Sequence, residues 1–115
     1  MDRRIRKVTS VLDQQYRDPP LIDQLAGAVG LSASRLSHLF RSEVGTSIQG
    51  YVMERRLVMA AMLIAQTDER ISQIAYRVGF GDVPNFNHAF KRRFGMSPRE
   101  YRTTHDLSED PLFSS

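Results

Sequence analysis

The stretch Ile22-Asp23-Gln24-Leu25-Ala26-Gly27-Ala28-Val29-Gly30-Leu31 returns later in the chain as Ile71-Ser72-Gln73-Ile74-Ala75-Tyr76-Arg77-Val78-Gly79-Phe80, with five identities in ten positions. One extra residue after Phe80 lets the match resume. His38 then pairs with His88, Phe40 with Phe90, Gly45 with Gly95, Ser47 with Ser97 and Tyr51 with Tyr101, while Arg41 pairs with Lys91. Ten identities over about thirty positions with a single gap mean that one supersecondary unit occurs twice.

Each copy has the grammar of a helix-turn-helix. Leu25 and Val29 are one helical turn apart and share a face. Ala26 is small enough for a second helix to cross closely. Gly30 stands where the chain must turn, and glycine accepts a positive φ without steric cost. Leu31 fills the angle between the helices, and Ser32 can cap the next one. Leu36, Leu39 and Phe40 give that second helix an apolar stripe; Arg35, Ser37, His38 and Arg41 lie off it. The second copy repeats the plan with Ile74, Ala75, Val78, Gly79 and Phe80. There Asp82 is the cap, Pro84 occupies the first turn, and Phe86 and Phe90 form the stripe.

The remaining segments fit around these units. Ile5, Val8, Val11 and Leu12 make Arg4 to Gln15 an amphipathic helix that stops before Asp18-Pro19-Pro20, since proline disfavours helix in the residue before it. Ser47 to Gln66 reads as one long linker helix. Its stretch Leu57 to Ala65 is apolar nearly all round, which implies burial on more than one side, and Met53, Met59 and Met62 read as core filler. Ser97-Pro98-Arg99-Glu100 is a capping box with proline at the first helical position, opening a short final helix. The expectation is an all-α fold of seven helices. Residues 1–104 form the domain, with helix-turn-helix units at 21–44 and 71–94, a linker helix at 47–66, a final helix at 98–103 and a disordered tail at 105–115.

Charge narrows the partner. The chain carries a net +3, but the last eleven residues hold Asp106, Glu109 and Asp110 and no lysine or arginine, so the preceding residues balance 16 basic against 10 acidic groups, or +6. Fourteen of the sixteen basic residues are arginines, whose planar fork matches phosphates and guanine edges. A basic domain of this kind suits a polyanion. The chain has no cysteine, which removes disulfides and thiolate metal sites. The longest apolar run is nine residues, too short for a bilayer, and the basic N-terminus leads into no signal-type stretch. A cytoplasmic protein is the expectation. His38 and His88 fall in separate units with no ligand cluster at metal spacing. No nucleophile with a base, paired acid or phosphate-cradling loop occurs, so no catalytic, cofactor or metal site is expected.

At this point the chain resembles the DNA-binding domain of the AraC/XylS family of bacterial transcription regulators. The matching residues run from about Ile5 to Arg102. The most telling are Leu31 to Arg41, Arg56-Leu57 with Ala60, Ile71 to Phe80, Phe86 to Lys91, and Gly95-Met96-Ser97-Pro98 with Tyr101-Arg102. The resemblance implies two helix-turn-helix subdomains joined by a long helix, binding to double-stranded promoter DNA, and contact with RNA polymerase. It also implies a sensing or dimerising domain that this chain does not contain, so the chain is either a fragment, the favoured reading, or a stand-alone member. Two departures stand out. Leu21 replaces the usual serine or threonine cap. In some members an arginine at the position of His38 or His88 reads guanine, a contact that histidine does not carry over unchanged.

The expected base contacts are Ser34, Ser37 and His38 in the first unit and Val83, Asn85, Asn87 and His88 in the second. Asparagine can pair bidentately with adenine, and serine can donate to many acceptors. Arg35, Arg41, Lys91, Arg92 and Arg93 are assigned to phosphates, which set affinity rather than sequence. The bland alternative for these positions is a solvated polar face, and the rival function is a helical protein-interaction module. An interaction surface would favour exposed apolar anchors there. Arg55 and Arg56 reach phosphates or cap the core; the sequence leaves both open. A linker helix of 18 to 20 residues spans roughly 27–30 Å, close to the 34 Å turn of duplex, which suggests two successive major grooves and an asymmetric site.

Overall fold

The computed structural model describes residues 1–105. Among them lie seven helices and no strand: α1 (Arg3–Gln15), α2 (Ile22–Ala28), α3 (Ala33–Val44), α4 (Ile48–Gln66), α5 (Ile71–Arg77), α6 (Val83–Phe94) and α7 (Pro98–His105). The chain divides into two compact units at Arg55/Arg56, within α4. No helix among the described residues is long and apolar enough to cross a membrane.

In the first unit α2 and α1 both pack on α3. Ile5, Val8 and Leu12 of α1 meet Leu25, Ala26, Leu36, Phe40 and Val52 in one buried cluster. Asp2 starts α1 by accepting a hydrogen bond from the Arg4 backbone N–H at 2.7 Å, one residue earlier than the sequence pattern suggests. Leu21 gives α2 no side-chain acceptor. The start is held from the other direction, because the Leu21 N–H donates to Gln24 Oε1 at 3.0 Å.

The turn between α2 and α3 and the turn between α5 and α6 are built alike. Gly30 has φ 73° and Gly79 has φ 114°, the left-handed conformation that glycine alone adopts cheaply. The next N–H, of Leu31 or Phe80, reaches back to the carbonyl of Ala26 or Ala75, at 3.0 Å in both copies. That bond closes a Schellman motif whose apolar residue turns inward. Ala26 and Ala75 are buried, as a close helix crossing requires.

In the second unit α5 and α7 pack on α6, around buried Ile74, Ala75, Val78, Phe80, Phe86 and Phe90. Ser97 and Glu100 form the expected reciprocal cap. The final helix runs to His105, two residues past the expected end and into the first position assigned to the tail. The Thr103 and Thr104 hydroxyls donate to the carbonyls of Arg99 and Glu100, and the His105 ring stacks on Tyr101 at 4.0 Å. The rest of the expected tail, 106–115, lies outside the described residues.

On α4 Val52 is buried in the first unit's cluster, and Leu57, Ala60, Ala61 and Ile64 form a buried stripe farther along. The flanking Val58, Met59, Leu63 and Ala65 are half-buried, so the stretch 57–65 is covered beyond that one stripe. Met62 is 45% exposed and Met53 and Met59 are half-buried, because 3.6 residues per turn carry them off the stripe. Ser47 is the cap of this helix rather than its first residue, its Oγ accepting from the Gly50 N–H.

Two polar contacts tie helices together. Tyr51 donates its hydroxyl proton to Asp13 at 2.7 Å. Arg102 donates from Nε to the Ile64 carbonyl at 3.0 Å and from a terminal nitrogen to the Glu69 carbonyl at 2.7 Å. Arg102→Ala strands two part-buried acceptors and should destabilise the domain by about 1–3 kcal/mol, read as a lower urea midpoint. Burial, then the Asp13 hydrogen bond, pushes the Tyr51 phenol up to about 12 from its ordinary value of 10.0. The folded state thus keeps a proton that the unfolded chain gives up. The stability Tyr51 confers is full below pH 10 and is lost as pH rises to about 12. The gap in urea midpoint between wild type and Tyr51→Phe should shrink across that window.

Candidate nucleic-acid interface

The second helix of each unit is held on one side only. Ser32 Oγ accepts from the Arg35 N–H at 3.1 Å to start α3, and Asp82 Oδ1 accepts from the Asn85 N–H at 2.7 Å to start α6. Leu36 and Phe40, and in the second copy Phe86 and Phe90, are fully buried. The opposite face of each helix is left to solvent.

On α3, Ser34, Arg35, Ser37, His38 and Arg41 are all exposed. Ser34, Ser37, His38 and Arg41 follow helical spacing and share one face. Ser34, Arg35 and His38 also line a shallow concavity of about 380 Å³ with Arg4, Leu31 and Leu39. Arg4 itself is committed to Asp2, donating to both carboxylate oxygens at 3.2 and 3.0 Å. The Asp2 carboxyl is held at about 2, first by that side-chain bond and then by the Arg4 backbone N–H. The Asp2 N–H in turn donates to the Glu43 carboxylate at 3.0 Å.

On α6, Asn85, Asn87, His88, Lys91, Arg92 and Arg93 are exposed, and Val83 is half-buried. Pro84, Asn87, His88 and Lys91 line one groove of about 730 Å³ with Ile71, Ser97, Pro98 and Arg99. Asn85 and Arg92 fall on the other flank of the helix by its 3.6-residue period. Arg93 lies about 180° round from Pro84 by the same period, with its guanidinium 4.8 Å from the Phe94 ring centre. The structure therefore brings Asn87, His88 and Lys91 together and sets Asn85, Arg92 and Arg93 apart from them. Val83 turns toward the Phe86 and Phe90 side, and Pro84 holds the outward place. Pro84 and Arg99 line this groove without being among the residues the sequence pattern marks as candidate contacts. Counting four residues back from His88 finds Pro84; nothing in the local pattern marks Arg99.

Arg55 belongs to the core edge. It is half-buried, and its Nε lies 3.8 Å from Asp13. Arg56 is also half-buried. Among the described residues, no group of His, Asp or Glu is placed to hold a metal ion.

Comparison with known proteins agrees with this geometry. A helix-turn-helix domain family model matches residues 25–104. The HTH-type transcriptional activator RhaS of Enterobacter sp. (strain 638) is 34% identical over 107 residues, covering 93% of this chain and 38% of that protein. The arabinose operon regulatory protein of Escherichia coli (strain K12) is 36% identical over 103 residues, covering 89% of this chain and 35% of that protein. Among solved structures, a Chromobacterium violaceum transcriptional regulator described by its AraC-type DNA-binding domain superposes with TM-score 0.83 at 30% identity, covering 94% of each chain. The chain belongs to the AraC/XylS family. It spans little more than a third of the length of the two curated relatives.

Asn87 and His88 of this AraC-type domain are exposed and take no part in holding it together. Asn87→Ala and His88→Ala should change unfolding free energy by no more than about 0.5 kcal/mol. Phe86→Ala or Phe90→Ala, from the buried stripe of the same helix, should cost about 3–5 kcal/mol. Urea denaturation of the four variants separates the two faces.

Proposed function

We propose that this domain binds double-stranded promoter DNA by laying α3 and α6, one from each unit, in major grooves. Ser34, Ser37 and His38 face base edges in one groove, and Pro84, Asn87 and His88 in the other, with Asn85 at the flank of α6. Arg35, Arg41, Lys91 and Arg92 take phosphates. One observation carries the reading. Each second helix presents an exposed row of hydrogen-bonding and basic side chains, and among the described residues Ser34, Ser37, His38, Arg41, Asn87, His88 and Lys91 make no side-chain bond within the protein. A helix so presented can read the major-groove pattern, and the cations beside it meet the backbone.

Each of the two units carries such a helix, which suits reading two successive grooves rather than one. Transcription regulation supplies the rest. RNA polymerase is the second partner of an activator, the cytoplasm is where a bacterial promoter is found, and a sensing or dimerising domain lies outside these residues.

Sites selected from a random duplex pool, then measured by fluorescence anisotropy, test the reading. Roughly 5–8 phosphate contacts give a log–log salt slope on the order of −5 to −7; a flat response would exclude DNA as the partner. Asn87→Ala should relax preference at one or two base pairs by about 1–3 kcal/mol, whereas Arg41→Ala should weaken all sequences alike. Inserting about five base pairs between the two halves of the selected site turns one half to the far face of the duplex, and affinity should drop toward that of a single unit. Unchanged affinity would mean that one unit reads DNA alone.

A further inference from the structure

We propose that the groove between α6 and the start of α7 seats the sugar–phosphate backbone of one DNA strand, with Arg99 and Lys91 closing on the same stretch of phosphates. The proposal rests on the DNA-binding reading and adds to it a residue and a surface outside the helix-turn-helix. The groove has the two chemistries of a backbone ridge. Its floor is apolar, from Ile71, Pro84 and Pro98, and its rim carries Lys91 and Arg99. Both cations are exposed, and neither is ion-paired among the described residues. Deoxyribose packs on the floor, and the phosphates meet the rim. Asn87 and His88 stand on the same wall, so a strand seated here presents its bases to them.

The support under Arg99 is rigid. Pro98 is buried, Ser97 and Glu100 cap each other, and Tyr101 meets Phe90 of α6 edge-on at 5.3 Å. The backbone that carries Arg99 is therefore fixed relative to the helix that carries Lys91, so only the two side chains must order to hold a phosphate between them.

The other copy of the repeat shows that this surface is particular to the second unit. Aligned through Ser47 and Ser97, the first unit has Gln49 where the second has Arg99, and Ser34 where the second has Pro84. Its second helix ends Arg41-Ser42-Glu43 against Lys91-Arg92-Arg93. The arginine beside α3, Arg4, is already paired with Asp2. The second unit thus grips the backbone more strongly than the first.

The test is binding of the whole chain to its selected duplex, with wild type, Arg99→Gln and a charge-matched control, Arg17→Gln, whose side chain lies over Tyr16 in the first unit. Arg99→Gln should weaken selected and random duplexes alike by about tenfold, the loss of one charge-assisted contact, and flatten the salt slope by about one. Arg17→Gln should change affinity by less than about twofold, the size expected of a remote charge screened by salt. Duplexes carrying one neutral methylphosphonate at a time locate the contact: one or two adjacent positions should weaken wild type but leave Arg99→Gln unaffected. Equal effects of the two arginine changes, or methylphosphonate losses the same in Arg99→Gln as in wild type, would overturn the proposal. Wild type that fails to bind duplex at all would instead overturn the DNA reading beneath it.

Discussion

The fold depends on an aromatic contact made twice. Tyr51 meets Phe40 edge-on, with ring centres 5.7 Å apart and planes at 88°, and Tyr101 meets Phe90 at 5.3 Å and 86°. In each case the phenylalanine is the buried centre of a second helix, and the tyrosine lies in the first turn of the helix that follows. The geometry is the favoured one for two ring quadrupoles. It fixes the angle between those helices, and with it the position of Ser47 or Ser97 at the corner. The caps, the left-handed glycines and the apolar plugs at Leu31 and Phe80 set local turns. The ring pair converts those turns into a three-helix packing around one side of α3 or α6.

Because the packing takes only one side, the other is free of structural duty. A helix of 12 residues needs two or three buried side chains to stay in place once both ends are capped. Leu36 with Phe40, and Phe86 with Phe90, suffice. The exposed side chains can then vary without loss of the fold, as a DNA-reading surface requires. The same economy explains where charge sits. Arg55 and Arg102 are drawn into contacts that hold helices together, while Arg41, Lys91, Arg92 and Arg99 stay at the surface.

What was legible in the sequence was local or periodic. The two turns, the caps at Ser32, Asp82 and Ser97 and the buried stripes each follow from spacing within a few residues, and the repeat made a weak pattern strong. Features that depend on residues far apart in sequence were not legible. Arg102 reaches carbonyls more than thirty residues away. Arg99 lines one groove with α6 only because α7 folds back on it. The apolar run on α4 could not reveal which of its sides is covered, since a run carries no periodicity to read. The end of α7 was placed too early because propensity misses a stacked histidine and two back-bonded threonines. Residue chemistry alone does not separate Val83 from Pro84; helical phase does, leaving Val83 half-buried and Pro84 exposed.

The repeat also sorts residues by the reason they are kept. Along α3 and α6 only two aligned pairs are identical, Phe40/Phe90 and His38/His88. The phenylalanines are explained by the core. The histidines are exposed and bond to nothing among the described residues, so folding gives no cause for their identity. The proposed DNA contact would supply one. Imidazole can donate or accept, and the same group at the same place on two reading helices suits a contact both must make, such as a phosphate or a base edge common to both halves of a site. Around it the neighbours differ: Ser34 against Pro84, Arg35 against Asn85, Ser37 against Asn87. On the proposed DNA-binding reading, one shared contact flanked by unlike ones suits two half-sites that are related but not interchangeable, and such a pair would give a single domain a direction on DNA.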